Sequence, residues 1–371
     1  MNRALTALIV SAGISLAAAV SHPALAGAPI PEASNGAPVT SVAEMVSRIT
    51  PGVVGIAVKG EVRENNPLAQ DPVFRQFFNF RDQPIERETE AVGSGVIVDA
   101  AQGYVLTNNH VVENATNIEV TTKDNRRFKA RLIGRDAATD IAVLQIPAEN
   151  LTAVPFGDSS HLRVGDFVLA VGNPFGLGQT VTSGIVSALG RTGLGIEGYE
   201  DFIQTDASIN LGNSGGALVD LDGRLIGINT AILAPEGGNV GIGFAVPINM
   251  ARDVMDQLIR YGEVRRGQIG VAIQDLTPVL ARALGTTRTE GALIARVVPG
   301  SPAERAGLRS SDLVVAVNGA PVHSAADLRN RIGLAAIGDE ITLTVDHGGA
   351  ERNVAVRIGR AAAQRQRLGQ R

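Results

Sequence analysis

The chain has 371 residues, room for about two domains, and its 44% hydrophobic share suffices for a sizeable core. Lys plus Arg number 33 against 37 Asp plus Glu, a net charge of −4 with no basic block, which excludes electrostatic capture of nucleic acid as the main activity. Cys is absent, which excludes disulfides, thiolate metal sites and a cysteine nucleophile together. Glycine is abundant at 43 residues, which favours turns and β structure.

The N-terminus reads as a targeting segment. Arg3 precedes an uncharged apolar run from Ala4 to Val20, and Ala24-Leu25-Ala26 suits a cleavage site, so residues 1–26 are expected to be a signal peptide for export to a bacterial periplasm. An uncleaved anchor is the competing reading, disfavoured because Thr6, Ser11, Gly13 and Ser15 dilute the run. Residues 27–40, rich in Ala, Pro and Gly, read as a flexible leader.

Within a first domain expected over 41–261, short apolar runs from Val53 to about Val246 alternate with Gly, Asn and Asp, among them Gly93 to Val98, Tyr104 to Thr107, Ile141 to Ile146 and Gly241 to Val246. No long helical pattern intervenes, so the spacing predicts an all-β sandwich or barrel. One polar interruption, Glu61 to Glu90, is too long for a plain hairpin and reads as a mobile or oligomer-contacting loop. The period changes from Pro247 to Tyr261, predicting a helix with Pro247 in its first turn. Gly262 to Gly267 reads as a short connector. A second unit spans 266–358, mixing strands (Ile269 to Ile273, Leu313 to Val317, Ile341 to Val345) with two short helices, and 359–371 reads as a frayed tail.

Gly212-Asn213-Ser214-Gly215-Gly216 can hold a serine on a tight turn, with the N–H groups of Gly212 and Ser214 converging on a developing oxyanion. The same text matches the nucleophile elbow of an esterase-type α/β-hydrolase, but there a helix must follow, and here an apparent strand from Ala217 to Leu221 does. Five histidines are present, and His110, just past the strand Tyr104 to Thr107, is best placed to act as a base. Asp140 directly precedes the run Ile141-Ala142-Val143-Leu144 and suits the acid that orients the imidazole. Asp136, the competitor, reads as a solvated charge in a turn.

The order His110, Asp140, Ser214 resembles that of chymotrypsin, and the surrounding text resembles the HtrA (Deg) family of serine proteases more closely. Thr107-Asn108-Asn109-His110-Val111-Val112, Thr139-Asp140-Ile141-Ala142-Val143-Leu144 and Gly212-Asn213-Ser214-Gly215-Gly216-Ala217-Leu218 are similar to its three motifs. In the second unit, Arg266-Gly267-Gln268-Ile269-Gly270-Val271 resembles the carboxylate-binding loop of a PDZ domain. One such unit is present. The resemblance implies a mostly β protein: a chymotrypsin-like double β-barrel protease domain followed by a small α+β PDZ domain.

It further implies an ATP-independent endopeptidase acting on unfolded envelope proteins, without cofactor or metal, as a homotrimer or a multiple of trimers. Ile209, Thr230, Ile232 and Leu233 are the implied substrate-binding residues, with Ile209, Ile232 and Leu233 lining a small apolar pocket suited to Val or Ala. Gln268, Ile269, Gly270 and Val271 would cradle the carboxylate of a peptide with a hydrophobic C-terminus. A Gly-rich segment starting at Arg191 would act as a sensor loop, with Arg191 as its regulatory residue. The alternative is a chaperone or PDZ adaptor whose protease site is gated and mostly at rest.

Overall fold

The computed structural model describes residues 41–64, 85–174, 178–192, 194, 198–210, 212–232 and 241–360, with backbone alone at 61–64, 85–90, 231 and 232. The expected signal peptide, the leader, Leu233 and the tail beyond Arg360 lie outside the described residues.

Helix α1 (Ala43–Ile49) leads into a seven-stranded antiparallel sheet. Its strands are β1 (Val53–Glu64), β2 (Ile85–Asp99), β3 (Tyr104–Thr107), β4 (Ala115–Thr121), β5 (Arg127–Lys129), β6 (Arg131–Asp136) and β7 (Ile141–Gln145), in the order β5-β4-β1-β2-β3-β7-β6. The four-residue helix α2 (Asn109–Val112) follows β3. A closed six-stranded barrel comes next, built from β8 (Phe167–Gly172), β9 (Thr180–Arg191), β10 (Phe202–Thr205), β11 (Ala217–Val219), β12 (Leu225–Ile232) and β13 (Gly243–Pro247).

One apolar core joins the two. Val96, Leu106, Ile141 and Val143 from the sheet pack in the same cluster as Leu169, Val171, Ala217 and Val219 from the barrel. Burying both apolar faces against each other makes the seam between them a fixed distance, which any site spanning it needs.

The polar interruption expected from Glu61 to Glu90 is shorter than the sequence suggested. β1 and β2 stay paired out to Glu64 and Ile85, with Lys59 opposite Glu90 and Arg63 opposite Glu86. A ladder needs only backbone donors and acceptors, so a charged ribbon continues the sheet.

Helix α3 (Ile248–Tyr261) closes this part of the chain. It buries Ile248, Met250, Ala251, Val254, Met255 and Leu258, and ends on Gly262 at φ +72°, whose N–H returns to the Leu258 carbonyl. Pro247 is the N-cap residue here, one position before the first turn.

The second unit contains β14 (Gly267–Gln268), β15 (Val271–Asp275), β16 (Ala292–Val297), β17 (Leu313–Val317), β18 (Ala320–Pro321), β19 (Glu340–His347), β20 (Ala350–Arg357) and β21 (Gly359–Arg360). Three helices accompany them, one more than expected: α4 (Pro278–Leu284), α5 (Pro302–Arg305) and α6 (Ala325–Leu334). β15 bonds to β16 on one side and to no described strand on the other. Gly359 and Arg360, expected to be frayed, pair with Gln268 and Gly267, because the ladder reaches one turn of sequence past the last long strand.

The connector is pinned and not a free linker. Arg266 lies over the Tyr199 ring at 4.2 Å and donates to Asp136 at 2.5 Å, so Asp136 is a paired strand end and not the solvated turn charge expected. Arg329 of α6 approaches the same ring at 5.6 Å, and Asn330 Nδ2 donates to the Glu200 carbonyl at 2.8 Å. At Gly333 of α6 a Cβ would come within 2.4 Å of the Tyr199 ring, so this position admits only glycine at the present separation.

Asp201 follows in this interface. Burial, reinforced by Asp327 and opposed by Arg331 and His323, pushes its carboxyl up to about 6. A carboxyl raised above its unfolded value costs the fold nothing below roughly pH 4 and progressively more as pH rises to about 6. Asp201→Asn should therefore raise Tm by about 2–4 °C at neutral pH and leave it unchanged near pH 4, read by thermal scans across that range. A pH-independent difference would show that the carboxyl carries no such cost.

Candidate active site

β3 ends at Thr107, and α2 starts two residues later, so His110 stands on a single helical turn at the end of a buried strand. Its side chain is 47% exposed. Asp140 lies across from it, 1% exposed, at φ +54° immediately before β7. Both ends of this aspartate are tied down. Its backbone carbonyl accepts from Asn109 N at 3.1 Å and from Asn108 Nδ2 at 3.0 Å. Its carboxylate accepts from His110 N at 3.0 Å, and His110 Nδ1 sits 2.8 Å from Oδ2 and 3.0 Å from Oδ1. The Thr230 hydroxyl donates to Oδ2 at 2.5 Å. A carboxylate so placed selects the tautomer with hydrogen on Nδ1, which leaves the Nε2 lone pair to act as a base.

Ser214 reaches the site on the turn from Gly212 to Gly215, with Gly212 at φ +102° and Gly215 at φ +80°. A Cβ at Gly215 would fall 2.2 Å from the Ser94 carbonyl oxygen, so the turn can press against β2 only as glycine. The Ser214 hydroxyl donates to the Thr230 carbonyl at 3.1 Å. Thr230 thus bonds two of the three motif residues, the acid through its hydroxyl and the serine through its carbonyl.

Among the described residues, no acceptor takes the N–H of Gly212 or of Ser214. The intervening Asn213 is laced to the segment before it: its N–H donates to Asn210 O at 3.1 Å, its Nδ2 to Ser208 O at 3.1 Å, and its Oδ1 accepts from Asn210 N at 3.1 Å. Ile209, in that segment, is 1% exposed and packs so closely on Gly243 that a Cβ there would sit 2.4 Å away. Thr230, expected among the substrate-binding residues, turns its side chain to Asp140. Ile232 is placed by its backbone alone on β12, and Leu233 lies outside the described residues.

Sequence reasoning passed over Ser94 and Thr107. The Ser94 N–H donates to Ser214 O at 2.8 Å, and the Thr107 hydroxyl donates to Ser94 O at 2.7 Å. The available signal was Gly93-Ser94-Gly95, a small hydroxyl between glycines just as at Ser214, inside what read as an ordinary strand.

Two further groups lie apart from this centre. Gln268, Ile269, Gly270 and Val271 run from β14 into β15, with Gly270 at φ +81° against Ser301. The Ile269 and Gly270 carbonyls accept from Ala303 and Val298, which fixes the loop beside the open edge of β15. Arg191 is the last residue of β9 and donates from Nε to Gln204 Oε1 of β10 at 2.8 Å. Among the described residues no cluster of His, Asp or Glu could hold a metal ion, and no helix is long and apolar enough to cross a membrane.

A family model described as a trypsin-like peptidase domain matches residues 93–228, and one described as a PDZ domain matches residues 267–358. The chain is 45% identical over 375 residues to the periplasmic serine endoprotease DegP of Escherichia coli (strain K12), covering 95% of this chain and 78% of that protein. It is 48% identical over 357 residues to the periplasmic pH-dependent serine endoprotease DegQ of the same organism, covering 95% and 77%. The solved HtrA-type protease AlgW with tripeptide superposes with a TM-score of 0.68 at 41% identity, covering 88% of this chain and 99% of that one. With both motif-bearing units matched in order over nearly its whole length, the chain belongs to the HtrA family of periplasmic serine endoproteases.

Proposed function

We propose that Ser214, His110 and Asp140 carry the peptide hydrolysis, and that Gly212 and Ser214 form the oxyanion hole. The observation that supports this best is the buried Asp140 carboxylate held against His110 Nδ1 at 2.8 Å, with Ser214 joined to the same acid through Thr230. In the reaction, the Ser214 hydroxyl turns from the Thr230 carbonyl to His110 Nε2 and attacks the scissile carbonyl carbon. The proton passes to Nε2, and Asp140 stabilises the imidazolium so formed. The oxyanion takes the free N–H groups of Gly212 and Ser214, each worth roughly 10²–10³ in kcat in such sites. His110 then protonates the leaving amine, and water, activated by the same base, releases the acyl group from Ser214.

The physiological substrates are unfolded envelope proteins, cut after small apolar residues that fit beside Ile209, Ile232 and Leu233. Residues 1–26 direct export as a cleaved signal peptide, residues 41–261 form the protease domain and 266–358 the PDZ domain, and the chain works as a homotrimer or a multiple of trimers in the response to envelope stress. A peptide with a hydrophobic C-terminus adds as a strand to the open edge of β15 beside α6, its carboxylate resting on the Gln268 to Val271 loop. The bond from Ser214 to the Thr230 carbonyl favours a resting centre that such a peptide switches on, and this is the form in which a mainly chaperone-like state is reasonable.

Ser214→Ala should lower kcat on casein by about 10⁴-fold or more, since triad members act as a unit, while Tm and binding of an unfolded client stay at parental values. Retained cleavage by the purified variant would remove Ser214 from the mechanism. The rate should also fall on acidification through about pH 6–7 as the His110 base is protonated, whereas Tm over that window changes little. A flat rate profile there would count against His110.

The relay from peptide to catalytic centre is placed at Arg191. It ties β9 to β10 through Gln204, and the Tyr199 to Asp201 segment that precedes β10 seats on α6, the helix flanking the open edge of β15. Peptide addition should raise kcat/KM at least about fivefold in the parent, and Arg191→Ala should hold the rise to about twofold at unchanged peptide affinity. Full activation of that variant, measured with a reporter substrate, would sink the relay without touching the triad.

A further inference from the structure

Ser94 sits on β2 in the middle of the apolar strand, 0% exposed, where a hydroxyl is costly unless every polar atom finds a partner. All of its polar atoms do. Its Oγ donates to the Gly212 carbonyl at 2.6 Å and accepts from the Asn173 N–H at 2.8 Å. Its N–H donates to Ser214 O at 2.8 Å, and its carbonyl accepts from Thr107 Oγ1 at 2.7 Å. These four bonds lead to a residue of the proposed hole, to the end of β8, to the proposed nucleophile, and to the strand that runs up to the His110 helix.

The packing around it is built for this reach. A Cβ at Gly93 would fall 2.7 Å from Val111, and one at Gly172 would fall 2.6 Å from the Asn213 Cα and 3.1 Å from Ser94 Oγ. Glycines therefore bring backbones close together, and the Ser94 hydroxyl has the right length to bridge them. Gly212, at φ +102°, is the freest kind of residue in the turn. With its carbonyl held on one side of Ser214 and the Ser214 carbonyl held on the other, the intervening N–H of Ser214 has a fixed direction.

We propose that Ser94 is a positioning residue for catalysis, whose hydroxyl on the Gly212 carbonyl sets the turn that presents the oxyanion-binding N–H groups. This rests on the assignment of the hole to Gly212 and Ser214. Ser94 touches no substrate atom. Its effect is on the stabilisation of the tetrahedral species and not on ground-state peptide binding.

The test compares the full-length parent with Ser94→Ala and with Ser94→Cys, which keeps the side-chain shape and a weak donor should the alanine variant fail to fold. Rates are normalised to the fraction of sites labelled by a fluorophosphonate. Each protein is then titrated with a peptide aldehyde, whose carbonyl carbon bonds to Ser214 Oγ and whose oxygen enters the hole, and with the matching peptide acid. For Ser94→Ala, kcat should fall by about 10–100-fold with KM within about twofold, and aldehyde affinity should fall by the same factor at unchanged acid affinity. Ser94→Cys should fall between the parent and Ser94→Ala. Parental kcat and aldehyde affinity in the folded variants would overturn the proposal. So would a loss shared equally by aldehyde and acid, which marks a merely structural role. A parent that binds aldehyde no better than acid would instead refute the hole itself.

Discussion

A carboxylate taken out of water must be met by donors from whatever elements surround it, and Asp140 collects them from two sides of the seam. His110 supplies both its ring and its backbone N–H from the sheet, and Thr230 supplies its hydroxyl from the barrel. The positive φ of Asp140 places the carboxylate under the helical turn while its carbonyl receives Asn108 and Asn109. The geometry of the imidazole thus follows from satisfying one buried charge, and the rest of the centre is arranged around that requirement. Only a seam of fixed width permits it, which is what the common core of the two β structures provides.

Close approach of backbones is the second constraint. Gly93, Gly172, Gly215 and Gly216 each lie where a Cβ would be driven into a neighbouring strand or turn. Their number explains part of the high glycine content of the chain, and it means that the Ser214 turn is shaped by what lies behind it as much as by its own sequence. The second unit is attached with similar economy: a tyrosine ring receives an arginine from the connector and another from α6.

Local text carried the motifs well. Three short segments pointed to His110, Asp140 and Ser214, and the structure brings His110 and Asp140 into contact and links Ser214 to them through Thr230. The β-rich class was legible from short apolar runs between turn residues, and the helix after β13 from its change of period. What escaped the sequence depends on partners far away along the chain. Asp136 looked solvated because its cation, Arg266, lies 130 positions on. Gly359 and Arg360 looked frayed because their partner strand lies before the second unit's first long strand. The ladder past Glu61 was hidden because charged residues pair through their backbones without an apolar pattern. Ser94 was hidden because a hydroxyl in a strand gives no sign of which carbonyl it will find.

The division of the centre between the two β structures carries a consequence for how the molecule fails. His110 and Asp140 belong to the sheet and Ser214 to the barrel, and the Asp140–Thr230 and Ser94–Gly212 bonds cross from one to the other. Any change that loosens the seam moves Ser214 away from His110 and Asp140, so the arrangement of the centre depends on that interface. A peptidase built in this way depends on the joint between its two β structures as much as on either of them.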